Sequence, residues 1–405
     1  MISSILFLLV IIIASTGVAV VFRRLGLVSE GVIAGVLVGV LFGPTVLGRI
    51  APDFWDETVM GAIEARQAVD DAVSERQAFV IASGAAELGP EAQATGLIER
   101  DSVIGALAMA AAAEMLQHAR PWSVATMALA AAALWLGWAT APSPRRERFD
   151  RTNRGTTVAL AFWVILLPAV LAIALFKIMG REPDDPAVVL AAIAVSAAAW
   201  PVAGQDAREL VRLEVWPLVI STNVIASLLI VSLGLIALIL GSPAWSVAML
   251  PLLVFGALHA RFRSVRGRGR GRWVLRAVVL PSLGALCVLR SEVLLETPWI
   301  ITIGLMLVAG DGRALAWLVG LRFTGMPAAA SDSTSTSRSK SDDLPTPSVG
   351  WSTSMLASGA SGPQLAFTAA AVSLGGIGPG LAFGLALGAA GLDLFGPSRR
   401  RIAGL

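Results

Sequence analysis

Apolar runs long enough to cross a bilayer can be drawn at eleven places in this chain, and most are joined by short loops. About 20 helical residues at about 1.5 Å each cover the roughly 30 Å of hydrocarbon. The runs fall at approximately 2 to 21, 31 to 47, 122 to 141, 156 to 179, 187 to 203, 216 to 240, 245 to 260, 274 to 290, 298 to 320, 352 to 375 and 378 to 396. In lipid each segment must satisfy its own backbone hydrogen bonds, so runs of this length are helices. The expected fold is an all-α polytopic membrane protein. With 56% hydrophobic and 15% charged residues, the composition excludes an ordinary soluble domain.

Charge in the short loops sets an orientation, because Lys and Arg gather on the cytoplasmic side. With the N-terminus outside, the inner loops hold Arg23 and Arg24, the arginines from Arg145 to Arg154, Arg208 and Arg212, those from Arg261 to Arg276, Arg322, Arg338 and Lys340, and Arg399 to Arg401. These are most of the 31 basic residues. The short outer loops are acidic, with Glu182, Asp184 and Asp185 in one and Glu292 and Glu296 in another. An odd number of spans, N-terminus outside and C-terminus cytoplasmic, in the cell (inner) membrane satisfies every loop. The first helix has no basic segment before it and is expected to be retained rather than cleaved.

The segment 102 to 117 is Ala-rich and carries Glu114; counting it as a span would turn two arginine loops outward. We therefore read 49 to 121 as one external insertion, 12 acidic against 5 basic residues, forming a helical hairpin over the outer face. The remaining divisions are 1 to 48 (the first two spans), 122 to 325 (the transmembrane core), 326 to 350 and 351 to 405 (the last spans and a basic tail). The Ser-, Thr- and Asp-rich stretch 326 to 350 has little to bury and reads as a disordered cytoplasmic linker.

Within the second run glycine recurs at every fourth position, Gly31, Gly35, Gly39 and Gly43, before Pro44-Thr45-Val46-Leu47-Gly48. Glycine is costly inside a helix, so a ladder of this kind points to close approach by a neighbouring helix. Two other runs carry candidate breaks. One is interrupted at Ala199-Trp200-Pro201 and Gly204, the other at Gly359-Ala360-Ser361-Gly362-Pro363. Each reads alone as a proline kink or as a discontinuous helix. One in each half is the arrangement of inverted-repeat transporters, whose interrupted helices cross at the membrane midplane.

The order of these features resembles the monovalent cation:proton antiporters of the Kef and NapA type. Arg23-Arg24-Leu25-Gly26 leads into the glycine ladder and its GPxxLG end, as in that family. Ser196 to Val202 falls where the family has its T-S-x-P-V break, and Ser221 to Leu228 where it has A-x-D-D. The resemblance implies about 11 to 13 transmembrane helices with inverted repeats and two discontinuous crossing helices. It also implies alternating access, monovalent cations (Na⁺ or K⁺) and protons as partners besides the lipid bilayer, and a homodimer.

Departures from the pattern concern the exchange chemistry. Thr222 and Asn223 stand where the family has its Asp pair, and Ala198 replaces its threonine. An amide oxygen can coordinate a cation but does not titrate. The other intramembrane candidates are Asp311, flanked by Gly310 and Gly312, and Arg313, which follows, in the 298 to 320 run. They read either as a midmembrane ion pair with a titrating Asp or as a tight turn with neutralised charges. Thr222, Asn223, Ser196, Asp311 and Arg313 are thus the ion-binding candidates. A membrane relative without transport, acting as a sensor or assembly partner, is the alternative. A single cysteine and the lack of a His/Cys cluster, a Walker loop or a nucleophile elbow lead us to expect no metal, no cofactor and no enzyme. The arginines gather in loops rather than in a nucleic-acid stripe, so no nucleic-acid partner is expected.

Overall fold

The computed structural model describes residues 2–26, 31–61, 63–85, 90–139, 154–182, 185–196, 218–219, 222, 225–226, 268–290, 299–323, 362–373 and 377–394. Every regular element among them is helical. We label the longer ones α1 (Ile2–Arg24), α2 (Val32–Phe42), α3 (Ile63–Ala85), α4 (Pro90–Ala139), α5 (Arg154–Ile178), α6 (Pro186–Ser196), α7 (Arg268–Val274), α8 (Leu280–Val288), α9 (Trp299–Leu307), α10 (Arg313–Phe323), α11 (Gly362–Ser373) and α12 (Pro379–Leu394). Turns of π-helix at Leu275–Val279 and Val308–Gly312 join α7 to α8 and α9 to α10. The expected span at 245 to 260, most of that at 216 to 240 and the linker lie outside the described residues.

Among the described residues four helical stretches are long and apolar enough to cross a membrane: Ser3–Arg24, Val32–Ile50, Gly155–Ile178 and Arg270–Val288. Their outer faces are apolar: Leu6, Ile13 and Val21 on α1 and Phe162 and Val170 on α5 are exposed. Large bare apolar surface of this kind marks contact with lipid or with another protein. The chain is an all-helical protein of membrane type.

The glycine ladder of α2 lies against α8 and the π-turn before it. Gly31, at φ 80°, opens α2, and a Cβ there would come 2.9 Å from the Arg276 carbonyl oxygen. One on Gly35 would land on the Pro281 carbonyl, and one on Gly39 would lie 2.6 Å from that of Ala285. Gly284 answers from the other side, its added Cβ 3.1 Å from the Val32 carbonyl oxygen. Backbone therefore meets backbone, at a separation that any side chain on those positions would open.

One end of the bundle is closed by aromatics. Phe7 packs edge-on against Phe42, Phe54 and Trp122, with ring centroids 5.8, 5.6 and 6.1 Å away. The Trp55 indole donates to the Phe42 carbonyl at 3.1 Å, and Arg290 donates to that of Val59 at 3.1 Å. The start of α1, the end of α2 and the end of α8 thus share one level, the relative order that the loop charges require.

Helices α3 and α4 form an antiparallel hairpin. Arg76 pairs with Asp101 at 2.5 Å, Arg100 lies over the Phe79 ring at 3.9 Å, and Gln93 donates to Ser83 at 3.0 Å. Gly96 leaves the space that the Phe79 ring occupies. The second arm is no separate element: α4 has 50 residues, about 75 Å at about 1.5 Å per residue, and continues through Pro121 into the expected span at 122. Farther along, Ala130, Ala133 and Leu134 of α4 join the main core with Leu365 to Ala371 of α11.

Candidate functional site

Helix α6 starts at Pro186, where a missing N–H costs nothing, and Asp185 accepts from the Ala187 N–H at 2.9 Å. Apolar residues bury most of its length, and it is described as far as Ser196, whose hydroxyl donates back to the Ala192 carbonyl at 2.7 Å. The carbonyls of this last described turn lie in the core. Arg313, 3% exposed, answers them: Nε donates to the Val195 carbonyl at 2.6 Å, and Nη2 reaches that of Ala194 at 3.5 Å.

The same Nη2 donates to Gln364 Oε1 at 3.2 Å. Gln364 is the third residue of α11, which begins with Gly362 and Pro363 of the expected second break. Its Nε2 donates to the Leu385 carbonyl of α12 at 2.9 Å, and its own carbonyl accepts from Thr368 Oγ1 at 2.8 Å. The described parts of the two runs expected to be interrupted thus meet on one guanidinium. Pro201, Gly204 and Gly359, the other expected break residues, lie outside the described residues, as does Asn223.

Asp311 and Arg313 are not brought together. Both stand on one continuous helical rod, and residues two apart on a helix face different directions. Arg313 points into the core; Asp311 is exposed, on an outward stripe with Ile303, Leu307 and Leu315. The segment is a π-helical turn, not a tight reversal, so neither reading of the pair matches the geometry.

Thr222 is fully buried, and its Oγ1 has no hydrogen-bond partner among the described residues. Ala226 belongs to the same core as Val195 and Leu365. The buried polar residues among the described residues include Ser196, Thr222, Thr302, Arg313, Gln364 and Thr368, and no carboxylate is among them. No group of acids, histidines or cysteines that would hold a metal ion occurs among the described residues.

Comparison with protein-family models, curated proteins and solved structures finds no match to this chain.

Two features escaped the reading of the sequence. Gln364 is one polar residue after a Gly-Pro pair, and only its place beside Arg313 gives it meaning. The other is a second glycine face on α12. An added Cβ on Gly384 would come 2.9 Å from Thr302 Oγ1, and one on Gly391 would come 2.9 Å from the Met306 side chain. The spacing Gly384, Gly388, Gly391 was visible, and it is the signal that could have found this face.

Proposed function

We propose that the chain is a secondary active transporter that moves a monovalent cation, Na⁺ or K⁺, in exchange for protons by alternating access. The observation that carries this reading is the meeting of α6 and α11 on Arg313. A buried guanidinium that bonds just before one expected break and just after the other would set a fixed charge where interrupted helices bind ions. Thr222, Ser196 and Asn223 supply oxygen ligands in this reading, and Asp311, on the rod that carries Arg313, is the titrating group. The glycine-ladder helix α2, locked on α8, belongs to the static part of a homodimer. The protein sits in the inner membrane with its N-terminus outside, its C-terminus cytoplasmic and the α3/α4 hairpin external.

A second reading, a membrane sensor or assembly partner without transport, is favoured by one observation: no carboxylate is buried among the described residues. Everted vesicles separate the two. Na⁺, K⁺ or Li⁺ added to a preformed pH gradient collapses it if the chain exchanges ions. A folded sample that leaves the gradient intact with every cation across pH 6 to 9 excludes exchange and leaves the second reading.

A further inference from the structure

We propose that Gln364 is a positioning residue for Arg313, its amide holding the guanidinium against the end of α6 while anchoring it to α12. What the guanidinium is positioned for rests on the transport reading; the positioning itself does not.

The chemistry is selective. Arginine offers only donors, and the Leu385 carbonyl only an acceptor. A side chain that bridges them must present an acceptor on one side and a donor on the other. The amide of Gln364 does this, with Oε1 3.2 Å from Arg313 Nη2 and Nε2 2.9 Å from the Leu385 oxygen. That pairing also settles which amide atom faces which way. A carboxylate would lose the bond to Leu385, and an apolar side chain of the same length would lose both.

The surroundings are built around the amide. Gln364 is fully buried, and the residues that follow it, Leu365, Ala366 and Phe367, are buried and apolar. A Cβ added to Gly388 of α12 would come 3.0 Å from Gln364 Nε2, so glycine there leaves the amide its room. Thr368 bonds back to the Gln364 carbonyl and stiffens the first turn of α11. Through one side chain α10, α11 and α12 are connected, and through Arg313 the connection reaches α6.

The test is hydrogen exchange on the full-length protein in detergent, comparing segments 186–196 and 379–394. Gln364→Met is expected to raise exchange several-fold in both segments. In an Arg313→Met background it should add nothing further at 186–196, since Gln364 acts there through Arg313. Gln364→Glu keeps the acceptor for Arg313 and is expected to loosen only 379–394, which keeps the test decisive if the Met variant fails to fold. Gly388→Ala, which crowds Nε2, should follow the Met variant. The proposal is overturned if Gln364→Met leaves 186–196 unchanged, if the two Met substitutions add independently there, or if the Glu variant loosens both segments equally. Should these patterns hold while the wild type collapses no pH gradient, the transport reading fails and the positioning role stands.

Discussion

Arg313 on α10 donates to the Val195 carbonyl on α6 at 2.6 Å, with both residues buried. The bond joins segments 118 residues apart in sequence. It places a fixed positive charge against the carbonyls of the last described turn of α6.

Arg313→Met leaves the Val195 carbonyl and Gln364 Oε1 without this donor in a buried place. Each orphaned group costs about 1 to 3 kcal/mol, so unfolding in detergent should shift by on the order of 2 kcal/mol or more. Arg313→Lys should recover part of this, because an ammonium lacks the planar fork that reaches two acceptors. A lysine variant as stable as the wild type would show that the fork is not needed.

Gly35→Ala should be destabilising by about 1 to 3 kcal/mol, because the methyl falls on the Pro281 backbone and neither helix can yield without parting. Gly17→Ala on α1 is the control. Nothing lies within 4 Å of its added Cβ, and alanine in a helix interior should be stabilising by about 0.5 to 1 kcal/mol. Thermal unfolding of the two variants should move in opposite directions.

Asp311→Asn should leave stability within about 0.5 kcal/mol of the wild type, since the side chain is exposed. In everted vesicles it should abolish the cation-induced collapse of a pH gradient. Exchange that persists undiminished in the Asn variant removes Asp311 as the titrating group.

Cys287, the single cysteine, is 2% exposed, so the folded wild type should not react with a membrane-impermeant maleimide. That blank background allows the orientation to be read. Glu75→Cys on α3 should label in intact cells, and Arg322→Cys at the end of α10 only in everted vesicles. The reverse pattern would invert the topology.

In the hairpin, Phe79→Ala should loosen α3, because the ring fills the space over Gly96 and lies under Arg100. Arg76→Gln should do far less, since exposed ion pairs are screened. The hydrogen bond to Asp101, then its charge, raises the Arg76 pKa above the ordinary arginine value. A base so raised contributes fully below its unfolded pKa and loses the contribution only as pH climbs past that range. Arg76 should therefore give the hairpin no pH dependence between pH 5 and 9, which hydrogen exchange of 63–85 would check.

The close contact of α2 was legible before any neighbour was known, because Gly31, Gly35 and Gly39 recur at the spacing of one helix face. Which helix they touch was not, since Pro281 and Ala285 lie some 250 residues on in sequence. The Asp311 and Arg313 pair shows the opposite case. Adjacency in sequence suggested an ion pair, but helical geometry turns residues two apart away from each other, and the core accepts only the one that has carbonyls to bond.

Sequence alone determined that the chain is helical and of membrane type and that α2 carries a bare face. These follow from local rules, the apolar length needed to cross lipid and the backbone preferences of glycine. Tertiary structure decided that Arg313 of α10 joins α6 to α11 and that Gln364 carries the connection on to α12. A buried guanidinium needs several acceptors at once, and only packing brings carbonyls and an amide from distant helices within 3.5 Å of it.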